Sequence, residues 1–166
     1  MPKKESVYYT DTNGVPKDLD GRVTHLGLKR GELAPRVVTV GSFSRAQRLR
    51  ACLDNPDTCF ERASARGFTT YTGTYKGTPV SIVSTGMGAA MMDFLVRESR
   101  AVTDGPMLIV RFGSCGGLLE RARPGTVILN TLGSVWLHRD PDTFLNDGCG
   151  VCAGLVPRGA AYRLPR

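Results

Sequence analysis

Along this chain, short β-branched runs that end in glycine alternate with stretches whose apolar positions recur every three or four residues. Arg36-Val37-Val38-Thr39-Val40-Gly41 is the first such run and predicts a buried strand closed by a turn. Ser44 then offers a helix cap, and Ala46, Leu49, Cys52 and Leu53 follow at helical spacing. Residues 68–75 and 79–84 read as two strands, with Lys76-Gly77-Thr78 as the hairpin turn between them. After Gly86-Met87-Gly88, residues 89–102 carry Met91, Leu95 and Val102 on one face. Met92 and Val96 stand beside them and Phe94 widens the stripe, which predicts a helix packed on a sheet. Pro106–Val110 is continuously apolar, as expected of a central strand covered on both faces. Residues 126–129 and 134–137 predict two further strands. Strands alternating with helical segments argue for an α/β fold, a mixed sheet with flanking crossover helices.

The two ends differ from this pattern. Residues 1–24 are polar, with Asn13-Gly14 and Pro16 as turn signals, and predict a flexible lead-in. Residues 147–166 hold four Gly, two Pro and no acidic group after Asp147, and predict an irregular tail. The folded domain is thereby expected over residues 25–146.

At 166 residues, 41% hydrophobic and 22% charged, the chain has the composition of one globular domain with a real core, not of a disordered tail or a disulfide scaffold. The net charge of +7 sits at the ends: +5 in the first fifty residues and +3 in the last sixteen. Nucleic-acid binding needs Lys and Arg clustered on one face, with aromatic platforms for single strands, and the 7% of aromatic residues are not interleaved with the charges. A small anion needs only two or three well-placed arginines, and that possibility stays open. No stretch approaches the roughly 20 apolar residues of a membrane span. The N-terminus lacks the apolar core of a signal peptide, and five cysteines, an odd number, fit a reducing compartment. The expected location is the cytoplasm.

Three glycine-punctuated strand ends draw the chemistry: Val40-Gly41-Ser42-Phe43-Ser44-Arg45, Ser84-Thr85-Gly86-Met87-Gly88 and Arg111-Phe112-Gly113-Ser114-Cys115-Gly116-Gly117. In open α/β sheets ligands bind at the carboxyl ends of strands, where glycines let backbone N–H groups approach an anion. An arginine that closes an apolar strand needs a partner. For Arg111 that partner is either a bound phosphate, held with Ser114, or a carboxylate such as Glu98 or Asp104. The glycines form neither a P-loop nor a dinucleotide fingerprint. Cys149-Gly-Val-Cys152 lacks the two further ligands a zinc site needs, so no metal site is expected. Cys115 has no adjacent His and reads as a small buried residue before a nucleophile. His25 is open between a surface residue, a cap and a ligand contact.

Thr24-His-Leu-Gly-Leu28, Gly41-Ser-Phe-Ser-Arg45, Arg66-Gly-Phe-Thr-Thr70, Ser84-Thr-Gly-Met-Gly88 and Arg111-Phe-Gly-Ser-Cys-Gly116 stand in the order found in uridine phosphorylases. Over residues 24–140 the chain resembles the purine nucleoside phosphorylase/uridine phosphorylase family. The resemblance implies phosphorolysis of a nucleoside, most simply uridine, to free base and ribose 1-phosphate. It implies Gly41, Arg45 and Arg111 as phosphate ligands, with Ser114 bridging phosphate and ribose, and Arg111 and Ser114 as the catalytic pair. Arg66 matches an arginine that reaches the phosphate of a neighbouring subunit, and His25 a histidine at the neighbour's ribose 5′-hydroxyl. Met87, Gly88, Cys115 and Gly116 match the nucleoside-pocket lining. Inorganic phosphate is then the co-substrate, no other cofactor is implied, and a homodimer or higher oligomer is expected.

Two departures shape the expectation. Gly67 stands where bacterial uridine phosphorylases carry a Glu that helps hold a monovalent cation between subunits. The family's second half, with its base-recognition residues and ribose-binding Glu-Met-Glu segment, should follow residue 140 and does not. The expectation is therefore a truncated phosphorylase with little activity of its own, or else a non-catalytic remnant or partner subunit of a full-length relative.

Overall fold

The structure, a computed structural model, describes residues 14–130 and the backbone of residues 133–139 and 151–157. The chain divides into two units, one up to Cys115 and one from Gly116.

In the first unit, β1 (Arg36–Val40), β2 (Phe60–Ala63), β3 (Thr69–Tyr75), β4 (Thr78–Ser84) and β5 (Leu108–Arg111) form one sheet in the order β2-β3-β4-β1-β5. β1 runs parallel to β4 and β5, whereas β2, β3 and β4 are successively antiparallel, so the sheet is mixed as the alternation predicts. The hairpin between β3 and β4 turns on Lys76 (φ 49°) and Gly77 (φ 72°), two consecutive left-handed residues of the kind that match strand twist. Helix α1 (Phe43–Arg50) follows β1 and helix α2 (Ala89–Val102) follows β4.

The two helices cover opposite faces. Val40, Ala46, Leu53, Tyr71 and Ile82 form the core under α1. Val37, Phe68, Val83, Leu95 and Val102 form the core under α2, joined there by Val23, Leu26, Leu28 and Leu33. Alternate residues of a strand serve alternate faces, and so Val37 and Val40, like Ile82 and Val83, divide between the two cores.

Several elements differ from the sequence pattern, each for a local reason. Ser42, not Ser44, caps α1: its Oγ accepts the Arg45 N–H at 3.4 Å. The helix stops at Arg50, and Leu53 reaches the core from a tightened turn while Cys52 is exposed. Residues 14–24 are not a free lead-in over their described length. Lys17 and Val23 form a β-bridge, the Asp18 carboxylate accepts the N–H groups of Asp20 and Arg22, and Val23 is buried. Residues 1–13 lie outside the described residues. The apolar run ending at Val110 is the edge strand β5, with Leu108 and Val110 exposed, where the pattern predicts a central one. Val96, beside the predicted packing face of α2, is exposed, while Glu98 and Ser99 are buried. β2 has no signal in the sequence pattern, and its ladder to β3 is what defines it.

In the second unit, residues 126–129 form no strand, and Val127, Ile128 and Leu129 stand exposed without a ladder partner. β6 (Gly133–Arg139) covers the predicted run 134–137 and pairs antiparallel with β7 (Val151–Pro157), from Gly133↔Pro157 to Arg139↔Val151. The expected irregular tail therefore contains a strand. Propensity misses it because a partner ten and more residues away supplies the ladder.

Candidate functional site

The first unit's topology collects the chemistry at one end of the sheet. β1, β4 and β5 are parallel and their carboxyl ends lie together. The chain leaves β1 toward α1 on one face and leaves the adjacent β4 toward α2 on the other. Loops that diverge from neighbouring parallel strands open a crevice between them, the usual ligand position in such sheets.

Arg111, the last residue of β5, stands in that crevice. The register pairs it with Thr39 on β1, so the two side chains share a face. Its Nη1 donates to Thr85 Oγ1 at 2.7 Å and to Thr39 Oγ1 at 3.5 Å, and its Nη2 donates to the Gly86 carbonyl at 3.0 Å. Thr39 and Thr85 are buried; Thr39 Oγ1 donates to Thr85 Oγ1 at 3.0 Å, which in turn donates to the Val40 carbonyl at 3.3 Å. That uses three of the five guanidinium N–H groups, all on neutral acceptors, and leaves one on Nη2 and the one on Nε.

The alternative carboxylate partners are occupied elsewhere: Glu98 is bound to the His25 segment and Asp104 pairs with Arg30. Among the described residues no carboxylate lies within ion-pair distance of Arg111. Among the described residues Arg45 has no carboxylate partner either. Arg45 Nη2 donates to Ser114 Oγ at 3.1 Å, which ties the first turn of α1 to the segment after β5. Gly41 lies against Arg111, since a Cβ there would stand 3.2 Å from Nη2. Gly41, Arg45, Arg111 and Ser114 are thus brought together, with the N-terminus of α1 adding its partial positive charge.

His25 and Arg66 lie on two neighbouring loops. Arg66 sits in the β2–β3 turn, where Ser64 Oγ accepts the N–H groups of Arg66 and Phe68 at 3.2 and 3.1 Å. The side chain is exposed. Because β3 opposes β4, with Thr69 beside Ser84, this turn lies at the same sheet end as Arg111. Gly27 packs against Ser64, a Cβ there standing 3.3 Å from the Ser64 Cβ, which brings the His25 loop alongside. The His25 ring stacks on Phe94, with centroids 3.7 Å apart, and its Nδ1 lies 2.6 Å from Glu98 Oε1. No hydrogen bond among the described residues joins His25 or Arg66 to the Arg111 crevice.

The remaining candidates are more loosely defined. Met87 is exposed on the β4–α2 loop, and Gly88 (φ 97°) opens α2 without a side-chain cap. Cys115 is exposed, against the expectation of a buried thiol. Gly116 begins the second unit. Among the described residues no group of three or more His, Cys, Asp or Glu could hold a metal ion, and no helix is long and apolar enough to cross a membrane. Sequence reasoning missed Thr39, Thr85 and the His25–Phe94–Glu98 cluster. A threonine within an otherwise apolar buried strand, as in Val38-Thr39-Val40, is the one available hint.

Two arginines, Arg45 and Arg111, thus stand at the parallel strand ends of a mixed α/β sheet. Residues 35–148 match the family model of the phosphorylase superfamily, and the chain belongs to that family. It is similar to a uridine phosphorylase of the oomycete Phytophthora capsici, at 47% identity and TM-score 0.83, over 90% of this chain and 52% of that one. A Trypanosoma brucei nucleoside phosphorylase with uridine phosphorylase activity matches at 28% identity and TM-score 0.60, over 81% of this chain and 47% of that one. The DeoD-type purine nucleoside phosphorylase of Geobacillus sp. strain WCH70 is 33% identical over 105 residues, 63% of this chain and 43% of that protein. The chain spans about half the length of the relatives it matches.

Proposed function

We propose that this protein serves in phosphorolysis of a nucleoside, uridine first, and that the described residues are its phosphate-binding part. One observation carries the reading: among the described residues Arg111 projects from a strand end with only neutral partners and two N–H groups to spare, beside Arg45, Ser114 and Gly41. Oriented guanidinium groups of this kind bind phosphate bidentately. In the reaction a phosphate oxygen bonds to C1′ as the C1′–N bond breaks and the base leaves with the electron pair. The ribosyl carbon becomes cationic in between, and a dianion fixed by Arg111 and Arg45 stabilises it.

In this reading Arg111 and Ser114 act at the reacting phosphate. Arg66 and His25 serve the site of a second copy, and Met87, Gly88, Cys115 and Gly116 line the nucleoside pocket. Inorganic phosphate is the co-substrate and no other cofactor takes part; nucleic acid and membrane are not partners. The protein would act as a homodimer or higher oligomer in the cytoplasm, and phosphorolysis of uridine would place it in pyrimidine salvage. The higher identity to the Phytophthora capsici uridine phosphorylase, 47% against 33% for the purine nucleoside phosphorylase, supports uridine over a purine nucleoside.

Phosphate-dependent release of uracil from uridine tests the proposal, with Arg111→Ala as control. Release that falls by about a hundredfold or more in Arg111→Ala supports it. Phosphate binding by calorimetry, lost in the same variant, without release by the chain alone favours the second reading, a partner subunit of a longer phosphorylase. Absence of both rejects the phosphate site.

A further inference from the structure

We infer that Glu98 is a positioning residue that holds His25 in the Nδ1–H tautomer, so that Nε2 is presented as a hydrogen-bond acceptor to a nucleoside hydroxyl. The nature of that hydroxyl rests on the function proposed above; the tautomer rests on geometry alone.

Glu98 lies on the sheet-facing side of α2 and is 2% exposed. A carboxylate so buried is costly unless its oxygens are satisfied. Here they receive the His25 N–H at 3.0 Å to both oxygens, the Leu26 N–H at 2.7 Å to Oε2, and His25 Nδ1 at 2.6 Å to Oε1. An ionised carboxylate only accepts, so the ring nitrogen facing it must carry the proton. A neutral imidazole has one N–H, which leaves Nε2 with its lone pair.

Phe94 completes the device. It precedes Glu98 by four residues on α2 and therefore stands on the same face one turn away. Its ring lies 16° from the plane of His25 at 3.7 Å between centroids, fixing the ring plane while Glu98 fixes its rotation. Both restraints come from one rigid element, and the His25 side chain is still 27% exposed. A bare Nε2 accepts from a hydroxyl and has nothing to offer a phosphate or carboxylate. The predicted preference is for nucleosides that keep the hydroxyl over deoxy analogues that lack it.

Long-range proton–nitrogen NMR of the full chain reads the tautomer directly, at a pH where the ring is neutral. His138→Gln assigns the two histidines. The wild type should show Nδ1 protonated and Nε2 bare, the tautomer a free imidazole disfavours. Glu98→Gln keeps the shape, but its amide oxygen must serve the Leu26 N–H and its NH2 then faces Nδ1, so the tautomer should invert to Nε2–H. Phe94→Leu should keep Nδ1–H. An Nε2–H tautomer in the wild type overturns the inference by itself, even if Glu98→Gln fails to fold. An uninverted tautomer in folded Glu98→Gln does so too.

Where phosphorolysis is measurable, kcat/KM for uridine over 5′-deoxyuridine should be about tenfold or more in the wild type, the worth of one hydrogen bond, and should shrink in Glu98→Gln. An unchanged ratio in that variant overturns the link to substrate. Failure of all phosphorolysis and phosphate binding rejects the proposed function and leaves the tautomer measurement to decide the rest.

Discussion

Gly41 is set by space and not by backbone angle. A methyl group there would stand 3.2 Å from Arg111 Nη2 and 3.6 Å from the Gly86 carbonyl, so the guanidinium would have to give way. Gly41→Ala should therefore weaken phosphate binding several-fold in calorimetry while unfolding stability moves by less than about 1 kcal/mol, the range of a substitution outside the core. A large stability loss with unchanged phosphate affinity would mean that Gly41 serves the fold alone. The arginines, the serine and this glycine are legible in the sequence because each sits in a short segment that ends a strand. The hydroxyls of Thr39 and Thr85 are not. They are 46 residues apart and meet only because β1 and β4 pair in parallel, and their partnership with Arg111 needs β5 on the other side of β1. The same holds for His25 and Glu98, separated by 73 residues and joined by nothing in local pattern.

At the scale of elements, α2 and the β3–β4 hairpin follow the pattern closely because both are local: a 14-residue amphipathic stripe and a two-residue turn carry their own instructions. β2 and β7 escape it because neighbouring strands define them. β5 is misplaced as central because an apolar run reports burial on faces and is silent on sheet order. The segment before β1 is the larger surprise, and its order has an electrostatic anchor. Arg22 forks onto Glu32 at 2.6 and 2.7 Å, and the Lys29 N–H adds a third bond at 3.1 Å. Burial pushes the Glu32 carboxyl up, yet the Arg22 fork and the Lys29 N–H outweigh it and hold the group below the ordinary carboxylate range. A carboxyl depressed in the folded state stabilises the fold above its unfolded pKa, and the contribution is lost as pH falls through the folded value. Glu32→Gln should thus lower stability by about 1–3 kcal/mol near neutral pH, the usual worth of a charged hydrogen bond. The gap in Tm between the two proteins should close as acid is added below the ordinary carboxylate range. A gap that stays constant with pH would remove the ion pair from the account.

For the molecule as a whole, the proposed function turns on how its two arginine groups share a phosphate. Arg66 leaves the β2–β3 turn and Arg111 leaves β5, with β4 and β1 between β3 and β5. Three inter-strand spacings of about 4.8 Å separate their backbones by roughly 14 Å, while the Arg111 guanidinium reaches back to Thr85 and Gly86 at the end of β4. No hydrogen bond among the described residues joins Arg66 to Arg111, and the resemblance to uridine phosphorylases implies that Arg66 serves a neighbouring copy in a two-fold assembly. There each copy would keep its own Arg111 crevice and lend its Arg66 to the other. The consequence is a complementation that no monomeric site can give. Arg66→Ala and Arg111→Ala should each bind phosphate poorly alone. Co-refolded in equal amounts they would form mixed dimers, in which one site has lost both arginines and the other has both. Random pairing makes about half of the dimers mixed, so about a quarter of all sites regain wild-type affinity in calorimetric titration. Recovery near that fraction assigns Arg66 to the neighbour's crevice; no recovery, with both variants folded and associated, assigns both arginines to the chain that carries them.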